Sequence, residues 1–443
     1  MMKKKFLASI LILAMALSFA ACGSSDNSSK VSQESSTQVS ENTNTQTDTT
    51  ENALVISDEV ETTANVTSNG AINASDLFTT RDLTQTPDVS EAKYYALSDG
   101  EDISITAAGV YVFSGTATEV TITVEAGDED KVQIVLNEAN ITNSDFPCIY
   151  VKSADKVFVT TIEGTANTLK VTGSFITDGD TNTDAVIFAK DDLVLNGLGA
   201  LNIESSDNGI SGKDDLKITG GTIVVSAKDS AIEAHDSIAI AEGNITITAT
   251  NDGLHAEYDD DNTVGYIYIC GGTLSIKAGD DGIHATTICQ IDGGDISISA
   301  AEGIEATWVQ INGGNISITA TDDGINAARK SYAVTVQFEI NDGNLTINMG
   351  QGDTDGIDSN GNLYINGGTV NITGQSPFDY DGTAQYNGGT IIVNGTQTNS
   401  ITNQFMGGGM GGMGTMPGGN QMPGNSGGYG GGNHSGGFGG PRH

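Results

Sequence analysis

GGNISITATDDGINA, from Gly313 to Ala327, joins a glycine turn, an alternating strand, an acidic turn and a Gly-Ile step. The same phrase stands at Gly271 (GGTLSIKAGDDGIHA) and at Gly293 (GGDISISAAEGIEA). Looser copies begin at Gly220 (GGTIVVSAKDSAIEA), Glu242 (EGNITITATNDGLHA) and Asp342 (DGNLTINMGQGDTDGID). The later glycine of each turn falls at Gly199, Gly221, Gly243, Gly272, Gly294, Gly314, Gly343, Gly368 and Gly389, in steps of 20 to 29 residues. A period in the low twenties, lengthened where loops are inserted, is the signature of a solenoid with one coil per repeat.

Within each repeat apolar residues alternate, as in Ile316, Ile318 and Ala320, so each strand buries one face. An Ile-x-Ala step follows each acidic turn, as in Ile304-Glu305-Ala306, and a third short strand such as Val309-Gln310-Ile311 precedes the next glycine pair. Three strands and three turns describe one rung of a parallel β-helix, with equivalent residues stacked about 4.8 Å apart. Aromatic residues make up 6 % of the chain, too few for a broad core, whereas stacked Ile, Val and Ala fill a narrow one. From Ile103 to Asn196 dense alternation continues without the glycine pair and reads as earlier, less regular rungs. The chain is therefore expected to be all-β, a single-stranded parallel β-helix over residues 81–398 between disordered ends.

Residues 1–21 read as a lipoprotein signal peptide: Lys3-Lys4-Lys5, an apolar run from Phe6 to Phe19, then Ala20-Ala21-Cys22. Small residues directly before a cysteine resemble the bacterial lipoprotein cleavage site and imply diacylation of Cys22, which anchors a chain without spanning the bilayer. The expected location is extracytoplasmic, lipid-anchored to the cell membrane and exposed at the cell surface. Residues 22–80, rich in Ser, Thr, Asn and Gln, read as a disordered tether. Residues 399–443 form a Gly/Met-rich low-complexity tail, whose irregularly spaced methionines argue against a soft-metal site.

The chain carries 57 acidic and 18 basic residues, a net charge of −39. Without the three lysines of residues 1–21 the balance is 15 basic against 57 acidic, or −42. Nucleic acid requires a basic footprint and is excluded as a natural partner. The acids are also placed. Aligned on Gly-Ile, one column holds Asp207 (in Asp207-Asn208-Gly209), Asp252, Asp281, Glu302, Asp323 and Asp355, with Asp280, Asp322 and Asp353 beside it. Two residues past each glycine a second polar column reads Ser211, His255, His284, Glu305, Asn326 and Asp358, and the less regular rung Asp229-Ser230-Ala231-Ile232-Glu233 adds Glu233 to it.

Asp-Gly makes good turns, and glycine supplies a positive φ, which accounts for one acid per rung. It does not account for carboxylates stacked about 5 Å apart, where like charges repel by about 1 kcal/mol in water and more near a protein surface. Such a column needs cations or raised pKa values, and hard oxygen ligands on flexible turns suit Ca²⁺. The expected metal ligands are Asp252, Asp280, Asp281, Glu302, Asp322, Asp323, Asp353, Asp355 and Asp358, with the loop Asp259-Asp260-Asp261 as a second acidic site. His255 and His284 stack one rung apart with no Cys or third His beside them. That argues against zinc and for solvent-facing or sugar-contacting rings. Cys289 aligns with inward Ile267 and Val309, and Cys270 with the outward turn positions Asp292 and Asn312. Different facings argue against a disulfide between them.

Four segments carry a resemblance: AGDEDKVQIVLNEANITNSD (Ala126 to Asp145), IYVKSADKVFVT (Ile149 to Thr160), AVIFAKDDLVLNGLGALNI (Ala185 to Ile203) and NGISGKDDLKITGGTI (Asn208 to Ile223). With the rungs after them they resemble the bacterial, mostly clostridial, carbohydrate-binding domain lipoproteins typified by a cellulose- and acid-sugar-binding β-helix. The resemblance implies the right-handed form of the helix, bound calcium, and similarity of shape to calcium-dependent pectate lyases. One departure is Glu233-Ala234-His235-Asp236, where many relatives carry Gly-Lys-Asp, so a lysine contact there is absent.

The expected function is binding of polysaccharide (cellulose, pectin or other acidic glycans) without catalysis, calcium bridging the acidic column to uronate carboxylates. The expected ligand-binding residues are His255, His284, Glu305, Asn326, Trp308 and Arg329, with Tyr258, Tyr266 and Tyr268 as further sugar-stacking aromatics. The membrane is the second expected partner, through the lipid, and the chain is expected to act as a monomer. One alternative is a calcium-dependent polyuronate lyase, which needs Lys or Arg as base near the calcium, Arg329 being closest in sequence. A structural adhesin is another, with the same fold and anchor.

Overall fold

A computed structural model describes residues 72–350 and 354–403. The signal peptide, Cys22, most of the tether, Asp353 and nearly all of the Gly/Met-rich tail lie outside the described residues. Among those described, 34 strands form one ladder that coils upon itself, and the only helix is a 3-10 turn, Ala74–Asp76. The expectation of an all-β parallel solenoid holds.

The strands after the glycine pairs, among them Thr222–Ser226, Asn244–Thr248, Thr273–Lys277, Asp295–Ala300, Asn315–Ala320 and Asn344–Met349, pair in parallel. Their register stacks Ile223, Ile245, Leu274, Ile296, Ile316 and Leu345 into one buried column. A second sheet carries the Gly-Ile steps and stacks Leu254, Ile283, Ile304, Ile325, Ile357 and Phe378. The third sheet stacks Ile267, Cys289, Val309, Phe338 and Leu363. In two rungs the second and third strands run on as one, Asp281–Ile291 and Glu302–Ile311. Alternation puts every second side chain inside, and columns of mostly aliphatic residues fill the core, with Phe338 and Phe378 as aromatic members.

No disulfide joins Cys148, Cys270 and Cys289, and burial pushes the Cys148 and Cys289 thiols up to about 12. The outward turn before each glycine pair carries an amide ladder. Asn312 donates to Asp292, Asn341 to Asn312, Asn366 to Asn341 and Asn387 to Asn366, at 2.7 to 2.8 Å.

The two glycine positions of the repeat do different work. The second glycine of each pair has a positive φ, +86° at Gly314. The glycine after each acid does not; at Gly303 a Cβ would lie 2.3 Å from Gly324 O and 2.5 Å from Ile318 Cγ2. Space, and not a left-handed turn, dictates glycine there, which corrects the reading of Asp-Gly as a positive-φ turn.

The tether reading also needs correction near its end. Ile72 N donates to Gln290 Oε1 at 2.6 Å, and Ile72 and Leu77 pack on Tyr266, Tyr268, Ile288 and Trp308. The Arg81 guanidinium covers the Phe158 ring at 4.5 Å. Asp82 is fully buried between Lys156 and Lys217, Oδ1 3.6 Å and Oδ2 3.7 Å from their Nζ atoms. Gln85 accepts from Gly197 N and donates to Thr219 O, both at 2.9 Å. Residues 72–85 are thus a strap along the outside of the third sheet, where outward Tyr266, Tyr268 and Trp308 need cover.

At the other end the strand Thr390–Val393 turns back through Asn394 and Gly395, both at positive φ, and pairs antiparallel with Thr396–Thr398. Asn-Gly is the favoured sequence for such a two-residue hairpin.

Candidate functional site

The second polar column is continuous. Register pairs Ser211 with Glu233, Glu233 with His255, His255 with His284 and His284 with Glu305. It then pairs Glu305 with Asn326, Asn326 with Asp358 and Asp358 with Asp379. The acid column runs along the starts of the same strands, Asp281 opposite Glu302. Asp252 and Asp281 are buried, Glu302, Asp323, Asp355 and Asp358 half-buried, and Asp280 and Asp322 exposed beside them. The loop Asp259-Asp260-Asp261 is exposed, and Asp261 accepts from Thr263 within it.

The column has two halves of different chemistry. In the first, the acid of a rung holds the histidine three residues on. His255 Nδ1 lies 2.5 Å from Asp252 Oδ2, and His284 Nδ1 lies 2.7 Å from Asp281 Oδ2 and 3.0 Å from Glu305 Oε2. The rings stack with centroids 4.6 Å apart and planes 9° from parallel. Burial opposes their protonation, yet the Asp252 and Glu257 carboxylates raise His255 to about 10, and Asp281 and Glu305 raise His284 to about 9. Neither ring is solvent-facing as the sequence suggested: His284 is 7 % exposed and His255 half-buried.

In the second half carboxylates crowd one another. Burial, with Asp281, Glu305 and Asp323 nearby, pushes Glu302 up to about 7 against a hydrogen bond from Asn326. Burial and the acids Asp358, Asp355 and Asp322 push Asp323 to about 7, and burial with Asp379 and Asp355 pushes Asp358 to about 6. Asn326 Nδ2 donates to Glu302 Oε2 at 2.9 Å and to Glu305 Oε1 at 3.1 Å. Asn326 Oδ1 and Thr354 Oγ1 are buried without a hydrogen-bond partner.

The structure brings His255, His284, Glu305 and Asn326 together and leaves two expected residues out. Trp308, 7 % exposed, lies in the apolar cluster under the strap with Tyr266 and Tyr268, so none of the three offers a ring to a sugar. Tyr258 stacks on His235 at 4.7 Å. Arg329 is exposed, over the Tyr332 ring at 5.2 Å; its neighbour Lys330 reaches the column instead, Nζ 2.8 Å from Glu305 Oε2.

Sequence reasoning missed Glu257, whose Oε2 lies 3.2 Å from His255 Nε2 and 3.5 Å from His284 Nε2. It also missed a cluster of Asp192, Asp214 and Asp215, where burial and Asp215 push Asp192 to about 7. The repeated Lys-Asp-Asp at Lys190 and Lys213 was its signal.

The chain belongs to the carbohydrate-binding domain-containing protein family, which matches residues 99–353 and 302–400. A carbohydrate-binding domain-containing protein of Acetivibrio thermocellus is 39 % identical over 129 residues, 28 % of this chain and 45 % of that one. The chain thus spans under half the length of this relative. A solved structure described as a polysaccharide lyase-like protein from C. thermocellum, a gadolinium derivative, shares 30 % identity over 53 % of this chain and 96 % of its own, with a TM-score of 0.45. Family membership supports carbohydrate as the partner class in general.

Proposed function

We propose that the protein is a lipid-anchored cell-surface lipoprotein that binds an acidic polysaccharide along the edge from His255 to Asp379 and does not cleave it. The observation that carries this reading is the crowding of Glu302, Asp323 and Asp358, which form no ion pair with Lys or Arg among the described residues. Carboxylates packed so closely draw in divalent cations, and cations left with open positions take the carboxylates of a uronate chain.

The donor chemistry of the column suits Ca²⁺, while the all-oxygen group whose ligand atoms already lie within 4.8 Å of one another among the described residues is Asp192, Asp214 and Asp215. Glu302, Asp323, Asp355 and Asp358 offer hard oxygens, and the partnerless Asn326 Oδ1 and Thr354 Oγ1 offer neutral ones within the same rungs. Asp252 and Asp281 fit it less well, being committed to histidines. When bound, the ion supplies positive charge to the sugar acid. The parallel ladder repeats its columns rung by rung, which suits a repeating polymer.

Binding is favoured over lysis by the state of the available cations. Burial pulls the Lys330 ammonium down, but Glu305 outweighs burial and raises it, leaving the amine protonated and unsuited to act as a base. Affinity electrophoresis in gels containing polygalacturonate or cellulose, with calcium or with EDTA, tests the proposal. Retardation by polygalacturonate that disappears in EDTA is expected. Retardation indifferent to EDTA would overturn the calcium bridge, and release of ultraviolet-absorbing unsaturated uronate would overturn the non-catalytic reading.

A further inference from the structure

Glu257 changes the meaning of the stacked histidines. His255 Nε2, His284 Nε2 and a Glu257 carboxylate oxygen all lie within 4.8 Å of one another. We infer that these three atoms form a binding site for a borderline divalent transition ion, with zinc as the test case, separate from the oxygen-rich half of the column.

Four observations lead there. His284 is 7 % exposed and its Nε2 is buried with no hydrogen bond, although it faces Glu257. An orphaned imidazole nitrogen in an acidic setting is an unmet ligand position. Both opposite nitrogens are held by carboxylates, His255 Nδ1 by Asp252 at 2.5 Å and His284 Nδ1 by Asp281 at 2.7 Å. That is the second-layer arrangement that fixes ring orientation and makes the far nitrogen a better donor to a metal. The ladder sets the two rings 4.6 Å apart and nearly parallel, so their Nε2 atoms turn toward the same carboxylate. Finally, Asp252, Glu257, Asp281 and Glu305 surround the rings with Lys330 as the cationic side chain among them, a field that favours a divalent ion.

The alternative group, Asp281, His284 and Glu305, converges on His284 Nδ1, and that nitrogen is already matched by the two carboxylates beside it. Two imidazole nitrogens with one carboxylate suit zinc and its neighbours and do not suit calcium, which takes oxygen. Glu257 is 37 % and His255 24 % exposed at the side chain, so one side of the site opens to solvent. A fourth position there takes water or the carboxylate of a bound sugar. Occupancy requires both Nε2 atoms to be free of protons, so uptake strengthens as pH rises.

The test uses the untagged chain, stripped with chelator and titrated with Co²⁺, whose visible absorption reports a nitrogen-containing low-coordinate site. The expected result is one equivalent of Co²⁺ with such a band, displaced by Zn²⁺ and retained in millimolar Ca²⁺. Glu257→Gln, at a partly exposed position, should weaken uptake at least about tenfold with an unchanged circular dichroism spectrum. The double variant H255A/H284A should abolish the band. A band that persists in the double variant, or no band in the parent, or displacement by calcium, overturns the site. None of these readouts depends on polysaccharide.

Discussion

The backbone amide of Asp281 donates to the side chain of Asp252 across one rung, with Oδ1 at 2.9 Å. The acid column is thus also a set of inter-rung clasps, repeated where Asp355 N donates to Asp323 Oδ1 at 3.1 Å. At Asn208 an amide does the same for Ser230 N at 3.0 Å. Asp252→Asn should therefore keep the clasp, while Asp252→Ala leaves a buried N–H unmet and should cost about 1–3 kcal/mol. Urea unfolding of both variants measures this; equal losses would show that charge, and not the hydrogen bond, matters at Asp252.

Stability should fall with rising pH when divalent ions are absent. Glu302 and Asp323 near 7 and Asp358 near 6 keep protons in the folded protein that the unfolded chain, with values of 4.5 and 3.8, has released. The folded state binds more protons across that window, so deprotonation destabilises it. His255 and His284, raised from 6.5 to about 10 and about 9, add stability that is complete below the unfolded value and lost as pH climbs through the folded ones. The signs agree above about pH 5. A thermal midpoint lower at pH 8 than at pH 5 in EDTA is expected, with calcium restoring more at pH 8. A flat profile contradicts it.

The strap should hang on Asp82. Asp82→Ala leaves Lys156 and Lys217 facing each other with less compensation in a buried site, a loss of about 3–5 kcal/mol for breaking such a network. Limited proteolysis should then cut within residues 72–85 before the rungs. Resistance equal to the parent's would show that Ile72, Leu77 and Gln85 suffice.

Trp308 is the chain's single tryptophan, so its fluorescence reports one place. Packed under the strap, it should emit at short wavelength, resist iodide quenching and stay unchanged on addition of polysaccharide. Quenching by iodide in the intact protein, or a spectral shift with glycan alone, would falsify its burial or its distance from the ligand.

The parts that repeat were legible from sequence because the register is fixed by spacing. The stacking of His255 on His284, and of Cys289 between Ile267 and Val309, follows from counting along the rungs. What does not repeat was hidden. Glu257 stands just past the strand Leu254–Ala256, at the start of an inserted loop whose counterpart after Ile325–Ala327 begins with Ala328, so no column pointed to it. The strap was hidden for another reason. Its residues resemble the polar stretch before them, and Ile72 meets Gln290 across 218 residues of chain. Trp308 misled in the same way, since an aromatic at an outward position reads as a sugar platform until its cover is seen.

The hairpin that ends the ladder has one more consequence. Parallel coiling contains no instruction to stop, because every rung offers the next an identical edge. Here the last edge is met by the chain's own Thr396–Thr398, folded back by Asn394 and Gly395. Length is therefore decided at that turn and not within the repeats. Whole rungs inserted or deleted ahead of Thr390 would leave the stop intact and lengthen or shorten the polar columns by one residue per rung.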